Sequence, residues 1–404
     1  MIHYAWVIAF TGTLVTILAH GFGRMSYSVI LPSMKDGLSL TYTQLGSIAT
    51  GNFIGYLSLA IIGGFLAARF GVRRVVFVSL LVIGISLFLT GFSQSFIFAF
   101  FMRLISGLGN GGSYVPIMAL PAAWFVIKKR GLATGIVSAG IGFGLFLSGI
   151  ILPPVIAAFG KEGWRYAWFL MGIIVFICAF VCYAFLRNNP KEKGTTMYGG
   201  EEEQKTGAKV TLFSAFKDVV VEPEIWKLGC VYFMYGFSYI IYLTFFVAYL
   251  TKEMGVKPAE AGGIFSILGI FSIFCGVIYG WISDLLGRKY GSMLAYINLA
   301  VAYAIFALWR EPVGFYVSAV AFGVAAFSIP TIMAAASGDA VGGRLAPAGL
   351  GFITLFFGIG QALGPVIGGW LKDTTGTFAY AFLLSAGVSL LGAAGSLILK
   401  KKKA

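Results

Sequence analysis

Charge is the scarcest thing in this sequence. Asp, Glu, Lys and Arg together make up 11% of its 404 residues, against about 25% in an ordinary soluble domain. Apolar side chains stand in their place at 59%, more than a water-soluble fold can bury, so the chain reads as membrane-embedded. A bilayer crossing takes about 20 residues plus a short connection, so this length holds on the order of twelve helices and leaves no room for an appended soluble enzyme module. Cysteine is scarce as well. Cys178, Cys182, Cys230 and Cys275 all lie inside apolar runs, where a small polarizable side chain serves packing, and neither disulfides nor a metal site is expected. A nucleophile–base set and a phosphate loop are also missing, so no catalytic residue and no cofactor is expected and an enzyme has little support. No basic leader precedes MIHYAWVIAF, and no cleavage-like end comes before Gly21. That segment reads as a retained first membrane helix.

What is present is a series of apolar runs, from Tyr4 to Leu31, Gln44 to Ala67, Val75 to Phe92, Ser95 to Val126, Leu132 to Phe159 and Trp164 to Leu186, then Ile225 to Leu250, Ala261 to Ile282, Tyr290 to Trp309, Val313 to Ser337, Leu350 to Leu371 and Thr377 to Leu399. The expected fold is an all-α membrane protein of twelve transmembrane helices. A polar stretch from Arg187 to Pro223, with NNPKEKG, an EEE run and TLFSAF, divides six helices from six. It predicts an N-terminal bundle over 1–187, a cytoplasmic linker over 188–223 and a C-terminal bundle over 224–404. The EEE run reads as a solvated face, and TLFSAF as a short amphipathic element on the membrane surface.

The net charge of +14 raises nucleic acid or acidic lipid as partners, but its distribution answers the question. Alternate loops and the termini collect 20 basic residues, among them Arg69, Arg73, Arg74, Lys128, Lys129, Arg130, Arg288, Lys289, Arg344 and the terminal lysines. The other loops hold 7. The positive-inside rule then places both termini in the cytoplasm, and the charge is a topology signal and not a nucleic-acid footprint.

The halves repeat each other. GFLAARFGVRR from Gly64 matches GWISDLLGRKY from Gly280 at an offset of 216, KKRGLATG matches GGRLAPAG at 214, and GFGRMSY matches GFSYIIY at 215. Parallel six-helix repeats place a binding site near the midplane between the halves, the geometry of alternating access.

On these motifs the chain resembles the major facilitator superfamily over essentially its whole length. The family's loop after the second helix carries Gly-x-Leu-x-Asp-Arg-x-Gly-Arg-Arg/Lys. The C-terminal copy keeps Gly280, Asp284, Gly287, Arg288 and Lys289, while the N-terminal copy keeps Gly64, Leu66, Arg69, Gly71, Arg73 and Arg74 but has Ala68 in place of Asp. The resemblance implies a gating role for Arg69, Arg73, Asp284 and Arg288. The alternative is plain topology anchoring. Arg103, Gly107, Gly109 and Gly111 resemble the family's fourth-helix pattern. The Gly-Pro pattern that marks helix five in family exporters occurs here in helix eleven, at Gly360, Gly364, Pro365, Gly368 and Gly369, where it reads as close packing.

No carboxylate falls in the membrane core, but Arg24 and Arg103 do. A buried cation costs about 2.5–3.5 kcal/mol on insertion scales, and a functional reason is the default reading. Arg24, with His20 four residues earlier and Tyr27 three later, resembles the organic-anion branches of the superfamily, whose first-helix arginine holds a carboxylate or phosphate. Tyr239 is its repeat mate and Tyr235 that of His20. Phosphate-ester members carry a second arginine at the place of Tyr239, so one guanidinium fork here suits one carboxylate. The stretches GRMSYSVILP and WFVIKKRGLATGIVSAGIGFG look like those of bacterial monocarboxylate carriers, although the eighth-helix arginine of that branch is absent. Asn52, Tyr56, Asn110, Tyr114 and Gln361 are further candidates, with helix–helix bonding as their alternative use. Beside a buried arginine His20 is expected to be neutral. An anion that cancels the arginine charge would let a proton load with it, whereas the alternative is a histidine bonded across helices. Arg103 is either part of that proton path or a structural donor to backbone carbonyls.

The sequence thus predicts a bacterial inner-membrane secondary transporter that moves a small organic anion, a monocarboxylate, by proton symport or exchange, as a monomer with only lipid, substrate and protons as partners. A drug or metabolite exporter is the alternative. It predicts an acidic residue in the core and Gly-Pro in helix five, and neither is there.

Overall fold

A computed structural model describes residues 3–200, 218–342 and 345–399. The EEE run, TLFSAF, Arg344 and the terminal lysines lie outside the described residues. The chain forms α1 (Tyr4–Leu38), α2 (Tyr42–Phe70), α3 (Val72–Thr90), α4 (Phe96–Ala119), α5 (Ile127–Ala158), α6 (Gly163–Phe185), α7 (Pro223–Lys252), α8 (Pro258–Ser272 continued by Cys275–Leu286), α9 (Arg288–Leu308), α10 (Pro312–Ala325 continued by Ser328–Val341), α11 (Ala346–Thr375) and α12 (Ala379–Ser396). Among the described residues, nine helices are long and apolar enough to cross a membrane, and the bent helices α2 and α8 bring the number to 11. The remaining segment, α4, has 24 residues. At 1.5 Å per residue it spans about 36 Å, enough for a hydrocarbon core of about 30 Å, and its apolar character is diluted by Arg103, Asn110 and a run of glycines.

The repeat seen in the sequence is also a repeat of packing. α1 packs on α5, α2 on α4, and α3 on both α4 and α6, while α7 packs on α11, α8 on α10, and α9 on both α10 and α12. Adding six to each helix number turns the first set into the second. Glycine permits the closest of these approaches, as membrane helices without a hydrophobic drive to associate require: a Cβ on Gly107 of α4 would lie 2.1 Å from the Asn52 carbonyl oxygen of α2. The turns α2–α3 and α8–α9 are matched in the same way by Gly71 at φ +84° and Gly287 at φ +89°, a left-handed geometry that a side chain opposes.

The halves meet through α2 with α11, α5 with α8, and α1 with α7, pairs that the same sixfold shift exchanges. We call the end where α1 starts and α12 finishes the basic end, and the opposite one the far end.

Helix α1 runs beyond the expected stop at Leu31, because Pro32 is accommodated inside a helix that continues to Leu38. Arg24 therefore lies 14 residues from the far end of α1, about 21 Å at 1.5 Å per residue, deeper than the shorter helix implies. All four cysteines are unpaired.

Candidate functional site

The middle of α1 is not α-helical. Ile17–Met25, ILAHGFGRM, forms a π-helical stretch, in which each turn is widened and side chains are re-aimed, a device frequent at functional sites. Both His20 and Arg24 sit on it. Arg24 is buried and its guanidinium is stacked over the Phe53 ring at 4.2 Å and the Tyr56 ring at 4.8 Å, both on α2. Such cation–π contacts offset part of the cost of burying the charge. Its Nη1 lies 3.4 Å from His20 Nε2. A guanidinium only donates, so Nε2 accepts and the neutral imidazole carries its proton on Nδ1. The His20 ring is packed against Tyr114 at 4.1 Å and Tyr56 at 5.7 Å. Among the described residues Arg24 Nε, Arg24 Nη2 and His20 Nδ1 have no hydrogen-bond partner.

Arg103 is also buried, but two of its three guanidinium nitrogens are engaged, Nε alone having no partner among the described residues. Nη1 donates to the Gly23 carbonyl at 2.7 Å and Nη2 to that of Arg24 at 3.4 Å, and the cation sits near the rings of Tyr27 and Trp168. Arg103 thus clamps the backbone that carries Arg24. Asn52 Nδ2 donates to the Arg103 carbonyl at 3.1 Å, and Asn110 Nδ2 donates to Asn52 Oδ1 at 3.4 Å, so these amides brace α2 on α4. Tyr27 donates its hydroxyl to the Leu45 carbonyl at 2.9 Å.

The facing wall, from α7 and α11, is neutral. Gln361 Nε2 donates to the Tyr239 hydroxyl, and Tyr235 donates to the Ala326 carbonyl at the break in α10. Tyr235 and Tyr239 stack at 4.5 Å, and Tyr232 stacks on Phe357 at 4.5 Å. Arg24 lies within electrostatic reach of Tyr56, Tyr114 and, from the other half, Tyr239. A small cleft adjoins Arg24 on its far-end side, walled by Tyr27, Ser28, Asn52, Phe53 and, from α7, Ile240, Leu243 and Thr244. Sequence reasoning did not single out Ser28 or Thr244, because isolated hydroxyls in apolar helices carry no pattern.

The four expected gating residues bond within their own halves. Arg73 Nε donates to the Tyr183 carbonyl at 2.8 Å, and Arg69 lies over the Phe70 ring. Arg288 pairs with Asp284 at 2.6 Å and with Asp339 at 3.3 Å. The cross-half hydrogen bonds and ion pairs that the structure describes lie toward the far end. Asp373 of α11 accepts from the Tyr42 amide at 3.0 Å, the Thr43 amide at 2.7 Å and the Thr43 hydroxyl at 2.6 Å. Lys252 pairs with Asp36, Thr50 donates to the Ala362 carbonyl at 2.5 Å, and Ser266 to that of Phe146 at 2.9 Å. Beside this seal Glu253 ties α7 to α11 and α12. Burial works to raise its carboxyl, but bonds from Lys372, Thr377 and the Phe378 amide outweigh that and hold it below the usual carboxylate range.

A sequence profile of the Major Facilitator Superfamily matches residues 13–329 and 228–404. The chain belongs to that superfamily. It is a multi-pass membrane transporter and not an enzyme. It is 25% identical to the hexuronate transporter of Bacillus subtilis, over 91% of this chain and 88% of that protein. It is also 25% identical to monocarboxylate transporter 12-B of Danio rerio, over 87% and 74%, and 24% identical to the cis,cis-muconate transport protein of Acinetobacter baylyi, over 87% and 88%. Among solved structures, a bacterial homologue of the human lysosomal transporter Spinster superposes with a TM-score of 0.76 at 17% identity, covering 98% of this chain and 95% of that one. A nucleoside transporter superposes at 0.78 with 15% identity, covering 98% and 100%. These likenesses concern the fold.

Proposed function

We propose that this superfamily member carries a small organic anion, a monocarboxylate, across a bacterial inner membrane by alternating access, as a monomer with both termini in the cytoplasm. The observation that carries the reading is the buried Arg24 guanidinium, stacked between aromatic rings at the junction of the halves with two of its nitrogens unpartnered. An anion supplies the charge-assisted bonds these donors lack. The facing wall of Tyr235, Tyr239 and Gln361 adds hydrogen-bonding capacity without a second cation, which favours one anionic group over two. The relatives named above as hexuronate, monocarboxylate and muconate transporters support an organic acid. The basic end takes the cytoplasmic side by the positive-inside rule.

Proton coupling follows from the His20–Arg24 contact. In the empty site Nε2 is occupied by a donor that cannot accept. A carboxylate that draws Arg24 Nη1 to itself frees Nε2 to take a proton, and the neighbouring negative charge then stabilises the imidazolium. Anion and proton load together.

Proteoliposomes test this with a panel of monocarboxylates, dicarboxylates and phosphate esters, with and without a pH gradient. Saturable, pH-driven monocarboxylate uptake is expected. Arg24→Gln should abolish it in a folded protein, and His20→Gln should leave exchange but remove the response to the gradient. Uptake by Arg24→Gln at unchanged apparent affinity would sink the anion assignment.

A further inference from the structure

Most hydroxyls along α1 have an obvious partner. Thr11, Thr13, Thr16 and Ser26 each donate to the carbonyl four residues back, Ser26 to Phe22 at 2.6 Å, the usual way a helix absorbs such a group. Ser28 is the exception. Its own carbonyl four residues back is that of Arg24, and Arg103 Nη2 bonds to that oxygen instead. Ser28 Oγ is left buried with no partner among the described residues, and Ser28 lines the cleft next to Arg24. Leaving a buried hydroxyl unbonded weakens a fold, so the helix retains it here against its own stability.

We propose that Ser28, with Thr244 on the opposite wall, forms a second subsite that recognises a hydroxyl or oxo oxygen on the substrate close to its anionic group. The assignment rests on the Arg24 reading and makes it narrower: the cargo is a small hydroxy- or oxo-monocarboxylate. Ser28 follows Arg24 by one turn, on the order of 5 Å along the axis, which places the recognised oxygen within a few bonds of the carboxylate. Beside Tyr27, Asn52 and Arg103 the cleft is lined by Met25, Ala49, Phe53, Ile240 and Leu243, so the carbon chain of the acid meets mostly apolar walls. Arg103 makes the subsite available by occupying the carbonyl that would otherwise hold the Ser28 proton. Thr244 contributes from the other half, so a bound substrate bonds to both bundles at once.

The probes are propionate, 2-hydroxypropionate and 2-oxopropionate, competing for uptake into proteoliposomes. The oxygen-bearing acids are expected to bind about 10-fold or more tighter than propionate, because a site built to bond an oxygen discriminates against the analogue lacking it. Ser28→Ala should bring that ratio close to unity, chiefly by weakening the oxygenated acids while propionate is unchanged, and Thr244→Val should narrow it in the same way. The thermal midpoint of Ser28→Ala should stay level or rise, since the change removes only an unbonded polar atom; a lower midpoint with an unchanged ratio marks a structural role and overturns the proposal. Arg24-dependent uptake that treats propionate and 2-hydroxypropionate alike in the parent protein overturns the subsite and leaves the anion reading standing. Uptake that survives Arg24→Gln removes both.

Discussion

The two ends of the molecule are held by different means. At the far end, atoms of one half bond directly to the other: the Asp373 carboxylate sits on the first turn of α2, Lys252 reaches Asp36, and Thr50 reaches the Ala362 carbonyl. At the basic end, Arg73 turns back to α6 and Arg288 to α8 and α10, so each of these ties closes a half on itself. Glycines follow the same division. A Cβ on Gly46 or Gly369 would lie 2.1 or 2.2 Å from backbone oxygen of the other half, whereas one on Gly64 or Gly280 would have no described atom within 4 Å. Under the alternating access proposed above, the far-end contacts would form a closed gate that the carrier breaks in each cycle.

The largest expected effect comes from making the far-end contact sterically impossible. A side chain on Gly46 collides with the Pro365 carbonyl, a backbone group that cannot swing away. Gly46→Val should disfavour far-end closure and drop transport about ten-fold or more, since overpacking a close contact costs about 1–3 kcal/mol. A thiol placed by Thr50→Cys, at the inner edge of the seal, should then react faster with an impermeant maleimide applied from the far end than it does in Thr50→Cys alone; both proteins lack the Thr50 bond to Ala362. The same change at Gly64 should be mild. Equal losses at Gly46 and Gly64 would erase the distinction between the ends.

Asp373→Asn comes next. The first turn of α2 has amide donors that the helix itself cannot satisfy. Its own Thr41 takes the Gln44 amide at 3.1 Å, while Asp373 from the other half takes those of Tyr42 and Thr43. An asparagine can accept at one position but brings a donor to the other, and it loses the favourable charge at a helix N-terminus. The cost is about 1–2 kcal/mol, so the same Thr50→Cys labelling should accelerate about ten-fold. Labelling at the parent rate would show that Asp373 caps α2 without holding the gate.

How much of this was legible in the sequence depends on whether a feature has a pattern or only a position. Twelve helices followed from apolar run length, and the duplicated glycine turns at Gly71 and Gly287 from a motif, because a left-handed turn leaves glycine little competition. Arg24 and Arg103 stood out because charge in an apolar run has to be explained. Their different uses did not, since whether a guanidinium meets carbonyls or open space depends on how α4 crosses α1. The π-helical stretch was hidden as well; Gly21 and Gly23 permit it, but its widening is set by packing on α5, where a Cβ on Gly21 would lie 2.4 Å from the Gly144 Cα. Pro32 suggested a helix end, yet a membrane helix tolerates proline when its neighbours absorb the lost bond.

One far-end contact was within reach of sequence alone. Asp36 and Lys252 are 216 residues apart, one more than the offset of 215 that relates Arg24 to Tyr239 on these same two helices, so each stands next to the other's mate in the repeat. Near-mates that touch lie close to the axis relating the halves, and opposite charges there join the bundles near that axis. The pair is partly exposed, so its worth is about 0–1 kcal/mol, the smallest of the three effects. Asp36→Lys should place two cations near the axis and speed Thr50→Cys labelling by a few fold. Adding Lys252→Asp reverses the pair and should return the rate to that of the parent, since exchanging the two charges leaves their attraction in place. Failure of the double variant to recover would mean that the surroundings of the two positions, Lys35 and Glu253 among them, have already made the halves unequal on the axis.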